Sequence, residues 1–353
     1  MIIRSYCRDY SVEFIDSMAF IQQISENRNS FFVIDKNVFE LYREMFSHFL
    51  KEDAFFVLEA VEKNKSIEKA LEIVSALVRL NTRKNTVLVA VGGGIVQDVT
   101  CFVASVLYRG IEWNFMPTTL LAQTDSCIGS KSSINYGQYK NLIGTFYPPK
   151  RIGIDLAYLD TISDRDYRNG LGEIAKIAIM RGQDSYREFR KILPALLARD
   201  GAKLEKTIEN TLSFKKSIIE VDEFDRDYRN ILNYGHTFGH ALESVSEFGI
   251  PHGQGVAMGM LLANEISLGR GLITNQYRDE MFADLTQIAE MTLLKPEYLE
   301  SAVFISAMQK DKKFQGQTHT CILVDQHEAK KYSDISNQEV SDALQILYRY
   351  CCG

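Results

Sequence analysis

One stretch constrains this chain more than any other: a largely apolar run, TVLVAV (Thr86 to Val91), ends directly on Gly92, Gly93 and Gly94 and passes into a helix-like stretch holding Asp98. Such a run reads as a buried strand, and the glycines as a tight strand-to-helix turn. FFVID (Phe31 to Asp35) and AFFVLEA (Ala54 to Ala60) repeat the strand signal, and SIEKALEIVSALVRL (Ser66 to Leu80) carries helical periodicity between AFFVLEA and TVLVAV. Strands alternating with helices predict an α/β chain with a parallel, doubly wound sheet. After about Asp155 the pattern changes to long amphipathic segments, with little strand character until THTCILV near Val324. The chain has 353 residues, and chains above about 250 to 300 residues usually divide into domains. The expectation is an α/β domain over 1–157 and a mainly helical domain over 158–353, joined near RIGIDLAYLDTI (Arg151 to Ile162).

Charge and apolar content exclude several classes of function. Lys and Arg number 40 against 46 Asp and Glu, a net charge of −6, which argues against nucleic-acid or polybasic membrane partners. No stretch approaches the roughly 18 apolar residues of a membrane span, and the start lacks a basic region followed by an apolar one. The six cysteines form no C-x-x-C pair and read as reduced thiols, so a cytoplasmic protein is expected.

Backbone amides at a glycine turn can approach a pyrophosphate closely. The spacing here is G-G-G-x-x-x-D, not G-x-G-x-x-G, so a plain tight turn is equally compatible. In MPTTLLAQTDSCIGSK (Met116 to Lys131), Thr118 and Thr119 follow another apolar run, with Asp125 and Lys131 beyond them. Hydroxyls and an ammonium suit phosphate and ribose; a solvated loop with an N-cap threonine is the plainer alternative.

Three of the six histidines fall in NYGHTFGHALESVSEFGIPHGQG. His236 and His240 are four apart and share one helix face, and His252 follows a Gly-Ile-Pro break on a new segment, as metal ligands from different elements do. A catalytic zinc site also wants a carboxylate, and Glu173 in GLGEIAK lies among small and apolar residues where an unpaired charge is costly. Hydrogen-bonded core histidines are the alternative. Lys176, Lys215 and Arg229, with Arg109 and Lys131 from the first half, form a cationic set that suits a polyanionic ligand if they converge, and solvated helix faces if they do not.

The combination GGGIVQDVTCF, PTTLLAQTDSCIGSK, KNLIGTFYPP, GLGEIAK, RNILNYGHTFGHALE and PHGQGVAMGM resembles 3-dehydroquinate synthase, within the sugar-phosphate cyclases, from about Phe31 to Gly316. The resemblance implies a Rossmann-like N-terminal domain and a helical metal-binding C-terminal domain. It implies NAD held by Asp35, Asn37, Glu62, Lys65, Gly92, Gly93, Gly94, Asp98, Thr118, Thr119 and Thr161. It implies a metal, zinc or cobalt, on Glu173, His236 and His252. Asp125, Lys131, Asn141, Lys176, Lys215, Arg229, Asn233 and His240 would surround the substrate, with Lys312 or Lys313 as a further lysine. Arg109 would reach the neighbouring subunit's active site, implying a homodimer. The implied substrate is 3-deoxy-D-arabino-heptulosonate 7-phosphate. The implied reaction is transient oxidation by NAD, phosphate elimination, reduction and intramolecular aldol closure.

The chain departs from the family pattern at Ser130 (usually glycine), Asp225 (usually glutamate), Asp227 (usually glycine) and Gln254 (usually glutamate). The competing readings are a cyclase acting on sedoheptulose 7-phosphate, which would have no carboxylate for Lys215 and Arg229 to meet; a metal-dependent alcohol or glycerol dehydrogenase, which would release NADH; and a catalytically inert binding protein, which would be expected to lack a ligand such as Glu173 or His252.

Overall fold

The structure, a computed structural model, describes residues 1–26, 29–137, 139–309 and 318–352. Contacts divide the chain into two compact units, Met1–Ile162 with Lys215–Phe224, and Ser163–Phe214 with Asp225–Gly353.

The first unit holds β1 (Ile2–Ile3), β2 (Tyr10–Phe14), β3 (Ser30–Asp35), β4 (Phe55–Leu58), β5 (Val87–Gly92), β6 (Glu112–Pro117), the hairpin β7 (Ile134–Tyr136) and β8 (Tyr139–Ile143), and β9 (Arg151–Ile154). Its helices are α1 (Ser17–Ser25), α2 (Lys36–Leu41), α3 (Arg43–Phe49), α4 (Ile67–Arg79) and α5 (Gly94–Val106). The sheet runs β1-β2-β9-β6-β5-β3-β4, parallel throughout except for the β1–β2 pair. The consecutive apolar residues of β3 and β5 are buried on both faces, as a sheet covered by helices requires. Phe32, Ile34, Val89, Val91 and Met116 pack with Phe20 and Ile21 of α1, Phe46 of α3 and Tyr158.

The second unit is mainly helical: α6 (Asp164–Met180), α7 (Gln183–Leu197), most of α8 (Gly201–Ile219), α9 (His236–Val245), α10 (His252–Gly269), α11 (Asn275–Ile288), α12 (Ser301–Gln309) and α13 (Asn337–Cys352), with one hairpin, β10 (His319–Val324) and β11 (Ala329–Ile335). Helix α10 is buried from Gly253 to Ser267, and a helix apolar all round belongs at a core centre. Glycines let its neighbours approach backbone to backbone: a Cβ at Gly253 would run into the Asn169 carbonyl of α6, one at Gly172 into the Gly253 carbonyl, and one at Gly259 into the carbonyl of Gly235, just before α9.

The sequence places the domain join after residue 157 and all of 158–353 in the second domain. The units instead divide between Ile162 and Ser163, where Ser163 caps α6 by accepting the Asp166 N–H and donating its hydroxyl to the Asp166 carboxylate. Residues 215–224 return to the first unit. Among the described residues no helix is long and apolar enough to cross a membrane, and Cys7, Cys101, Cys127, Cys321 and Cys351 are free thiols.

Candidate active site

In the first unit the chain runs from β3 outward to β4, then crosses back so that β5, β6 and β9 build the other side. The carboxyl ends of β3 and β5 are therefore the switch point where open α/β sheets bind ligands. Asp35 ends β3 and the glycines end β5. Gly93 is the N-cap of α5 and has no side chain to fill the cap, so the first-turn N–H groups are left for an anion. A Cβ at Gly92 would lie 2.6 Å from Val96 Cγ2 and 3.2 Å from Asp35 Cβ, which keeps this turn glycine. Asp35 accepts the Asn37 N–H at 2.7 Å. Thr118 donates its N–H to the Gly92 carbonyl at 3.0 Å. Thr119 acts as a cap: its Oγ1 accepts the Ala122 N–H at 3.2 Å, and its methyl lies 3.2 Å from where a Gly93 Cβ would be. Thr161 Oγ1 meets the Tyr42 hydroxyl at 3.0 Å.

Lys65 joins two groups of predicted residues. Its ammonium sits 2.6 Å from Asp98 Oδ2 and donates to Asn141 Oδ1 at 2.7 Å. Asp98 also accepts from the Ser133 N–H and hydroxyl. Burial pushes the Asp98 carboxyl up, and Lys65 opposes that shift. Asn141 has φ +52°, a region asparagine tolerates, and its N–H is held by Asn135, which also donates to Glu62 at 2.8 Å. Residues expected to meet the nucleotide (Glu62, Lys65, Asp98) and one expected to meet the substrate (Asn141) thus form one network on the β7–β8 hairpin.

Lys215, buried, donates to the Asp125 carbonyl at 2.7 Å and faces its carboxylate at 2.8 Å. Lys131 is exposed, its backbone bridged to Phe146. Arg109 is exposed with φ +63° in the turn after α5. The thirteen residues of α5 put about 20 Å between that turn and the glycines, so Arg109 does not join the nucleotide turn of its own chain.

In the second unit the ligand atoms of Glu173, His236 and His252 lie within 4.8 Å of one another. They come from α6 and from the first residues of α9 and α10, the three helices brought together by the glycine contacts. His252 Nε2 is 3.4 Å and His236 Nε2 3.7 Å from Glu173 Oε1, and Lys176 touches Glu173 Oε2. The far nitrogens are held too. His236 Nδ1 faces the Tyr234 carbonyl at 3.2 Å, and His252 Nδ1 faces Glu243 Oε1 at 2.9 Å, so each ring donates from Nδ1 and turns Nε2 inward. Glu173 is fully buried, and neither of its oxygens has a hydrogen bond of good geometry. A buried carboxylate facing two oriented imidazoles is a donor set that fits Zn²⁺ or Co²⁺.

Burial alone would raise the Glu173 carboxyl, but Lys176, His252 and His236 outweigh it and hold it well below the usual range, as carboxylate. Burial, with Lys176 second, holds His236 well below the usual imidazole value. For His252 burial is opposed by the Glu173 and Glu243 carboxylates beside it, which push it up to about 10.

His240 is exposed, its ring centroid 5.9 Å from that of His252. Arg229 is buried in the turn Tyr228–Asn233, and Asn233 donates to the Asn230 carbonyl. Lys312 and Lys313 lie outside the described residues. Glu243 was missed from sequence, although its spacing from His236 and His240, seven and three residues on, puts it on their helix face.

Residues 55–169 match the 3-dehydroquinate synthase N-terminal family and residues 170–314 the 3-dehydroquinate synthase C-terminal family. The chain belongs to the 3-dehydroquinate synthase family. The 3-dehydroquinate synthase of Dictyoglomus turgidum is 34% identical over 320 residues, covering 90% of this chain and 88% of that protein. Among solved structures, ValA (2-epi-5-epi-valiolone synthase) from Streptomyces hygroscopicus subsp. jinggangensis with NAD⁺ and Zn²⁺ bound shares the fold at TM-score 0.85 and 23% identity, covering 97% of each chain. A 2-deoxy-scyllo-inosose synthase complexed with carbaglucose-6-phosphate, NAD⁺ and Co²⁺ does so at TM-score 0.83 and 21% identity, covering 98% of this chain and 99% of that one. The fold class expected from the sequence is the one found.

Proposed function

We propose that this chain is a 3-dehydroquinate synthase, a phosphate-eliminating carbon–oxygen lyase acting on 3-deoxy-D-arabino-heptulosonate 7-phosphate. The observation that supports it most directly is the buried Glu173 facing His236 and His252 in a chain of that family. NAD, when bound, supplies a reversible hydride acceptor, and a Zn²⁺ or Co²⁺ ion a Lewis acid toward the substrate's hydroxyls.

The chain's own residues bind, orient and hold charge. Gly92 to Gly94 and the start of α5 receive the cofactor's pyrophosphate, with Asp35 and Asn37 at the ribose and Glu62, Lys65, Asp98, Thr118, Thr119 and Thr161 around it. Glu173, His236 and His252 hold the metal, with Glu243 and the Tyr234 carbonyl fixing the imidazole rings. Lys176 keeps Glu173 ionised and presents an ammonium to the substrate's hydroxyls. Lys131, His240 and the partner's Arg109 hold the phosphate as it leaves. Lys215 and Arg229 meet the carboxylate, and Asp125, Asn141 and Asn233 orient the sugar hydroxyls. The active assembly is then a homodimer, and the enzyme works in the cytoplasm.

The test offers heptulosonate 7-phosphate and sedoheptulose 7-phosphate side by side, with NAD and zinc, and measures released phosphate. Release from the heptulosonate supports this reading, and release from sedoheptulose 7-phosphate alone overturns the substrate.

A further inference from the structure

Ser130, which precedes Lys131, has φ +63°. An L-residue with a side chain occupies that left-handed region at a cost that glycine, the residue of the family pattern here, avoids. The serine is 6% exposed and is held from several sides. Its hydroxyl donates to Glu223 Oε1 at 2.9 Å, its carbonyl accepts the Tyr147 N–H at 2.6 Å, and the preceding Gly129 donates its N–H to the Tyr10 hydroxyl at 3.0 Å. Glu223 is held in turn by the Ser5 hydroxyl at 2.6 Å and the Tyr6 N–H at 2.7 Å. Lys215, on the same returning segment, grips Asp125. The stretch from Asp125 to Lys131 is therefore clasped near both ends by residues 215–223.

We infer that Glu223 and Ser130 are positioning residues, fixing the left-handed turn from which Lys131 is delivered to the substrate's phosphate. The inference rests on the phosphate-binding role proposed for Lys131. Without the hydroxyl–carboxylate bond, an alanine at 130 relaxes toward negative φ and swings the following residue away. A glycine there keeps the turn accessible but leaves it unpinned.

Steady-state kinetics of the holoenzyme with NAD and zinc test this on Ser130→Ala, Glu223→Ala and the double variant. The readings are KM for heptulosonate 7-phosphate and the inhibition constant of inorganic phosphate, against kcat and KM for NAD. Each single change is expected to raise KM and the phosphate inhibition constant about tenfold, as for loss of one charge-assisted hydrogen bond. The double variant is expected to go no further, with kcat and KM for NAD close to wild type. Ser130→Gly, which accepts the backbone without strain, is expected to keep the wild-type melting temperature and still raise KM. Wild-type KM and phosphate inhibition in Ser130→Gly, or single effects that multiply in the double variant, would overturn the inference. Lys131→Ala separates the two readings. A raised KM there, beside an unchanged Ser130→Gly, removes only the positioning role; an unchanged KM removes the phosphate-binding role and the inference with it.

Discussion

The glycine turn of the first unit and the Glu173, His236 and His252 triad of the second are built in opposite ways. At Gly92 to Gly94 the groups presented are backbone N–H groups at the start of α5, and side chains are absent so that the turn can form. In the triad, side chains carry the charge and the glycines lie behind them, at Gly172, Gly253 and Gly259, letting α6, α9 and α10 close on one another. A backbone site depends on shape. A side-chain site depends on ionisation and on what holds each ring, so substitutions in the two regions should fail differently.

The largest expected effect is at the triad. His252→Ala should lose stoichiometric metal and about 10³-fold in turnover while still folding, since Glu173 keeps Lys176 as its counter-charge; metal analysis beside circular dichroism checks it, and full metal content would sink the assignment. Glu243→Gln should weaken metal affinity about 10- to 100-fold without loss of fold, because the carboxylate charge that strengthens His252 as a ligand is lost but no ligand atom is; a chelator-competition titration reads this. On the backbone side, Gly93→Ala puts a Cβ 3.2 Å from Thr119 Cγ2 and should raise KM for NAD about tenfold with metal content unchanged. A loss of metal there would erase the contrast between the two regions.

The smallest effect lies away from both sites. Glu339 is paired with Arg270 and held at about 2, chiefly by that hydrogen bond. A depressed carboxylate stabilises the fold above its unfolded value and loses that contribution as pH falls. Wild type should therefore lose this increment between about pH 4.5 and 2, whereas Glu339→Gln should lack it throughout and start about 0.5 kcal/mol lower, the pair being partly solvated. Urea unfolding at several pH values measures it.

The alternation of strands and helices was legible because β3, β4 and β5 are built on continuous apolar runs and the glycine turn falls at the end of β5. The triad was legible because histidines are scarce and three of them crowd together. What stayed hidden depends on contacts distant in sequence. Nothing near Lys215 shows that it grips Asp125, or that 215–224 return to the first unit. Gly172, Gly253 and Gly259 look like helix weakeners until the facing carbonyls are known. Thr119 could be read as a cap or as a ligand-facing residue, and the contact that shows the cap, with the Ala122 N–H, is three residues on. Ser130 was visible only as a departure, and its left-handed backbone with the Glu223 clasp explains how serine is accommodated there.

The central claim, that the glycine turn and the metal triad serve one cycle in which NAD is regenerated, is tested most directly by counting phosphate released per NAD. The protein is loaded with zinc, given limiting NAD and excess heptulosonate 7-phosphate, and followed at the NADH absorbance band. Many phosphates released per NAD with no net NADH is the predicted result. One NADH accumulating per substrate consumed, without phosphate, would contradict it and make the chain a dehydrogenase.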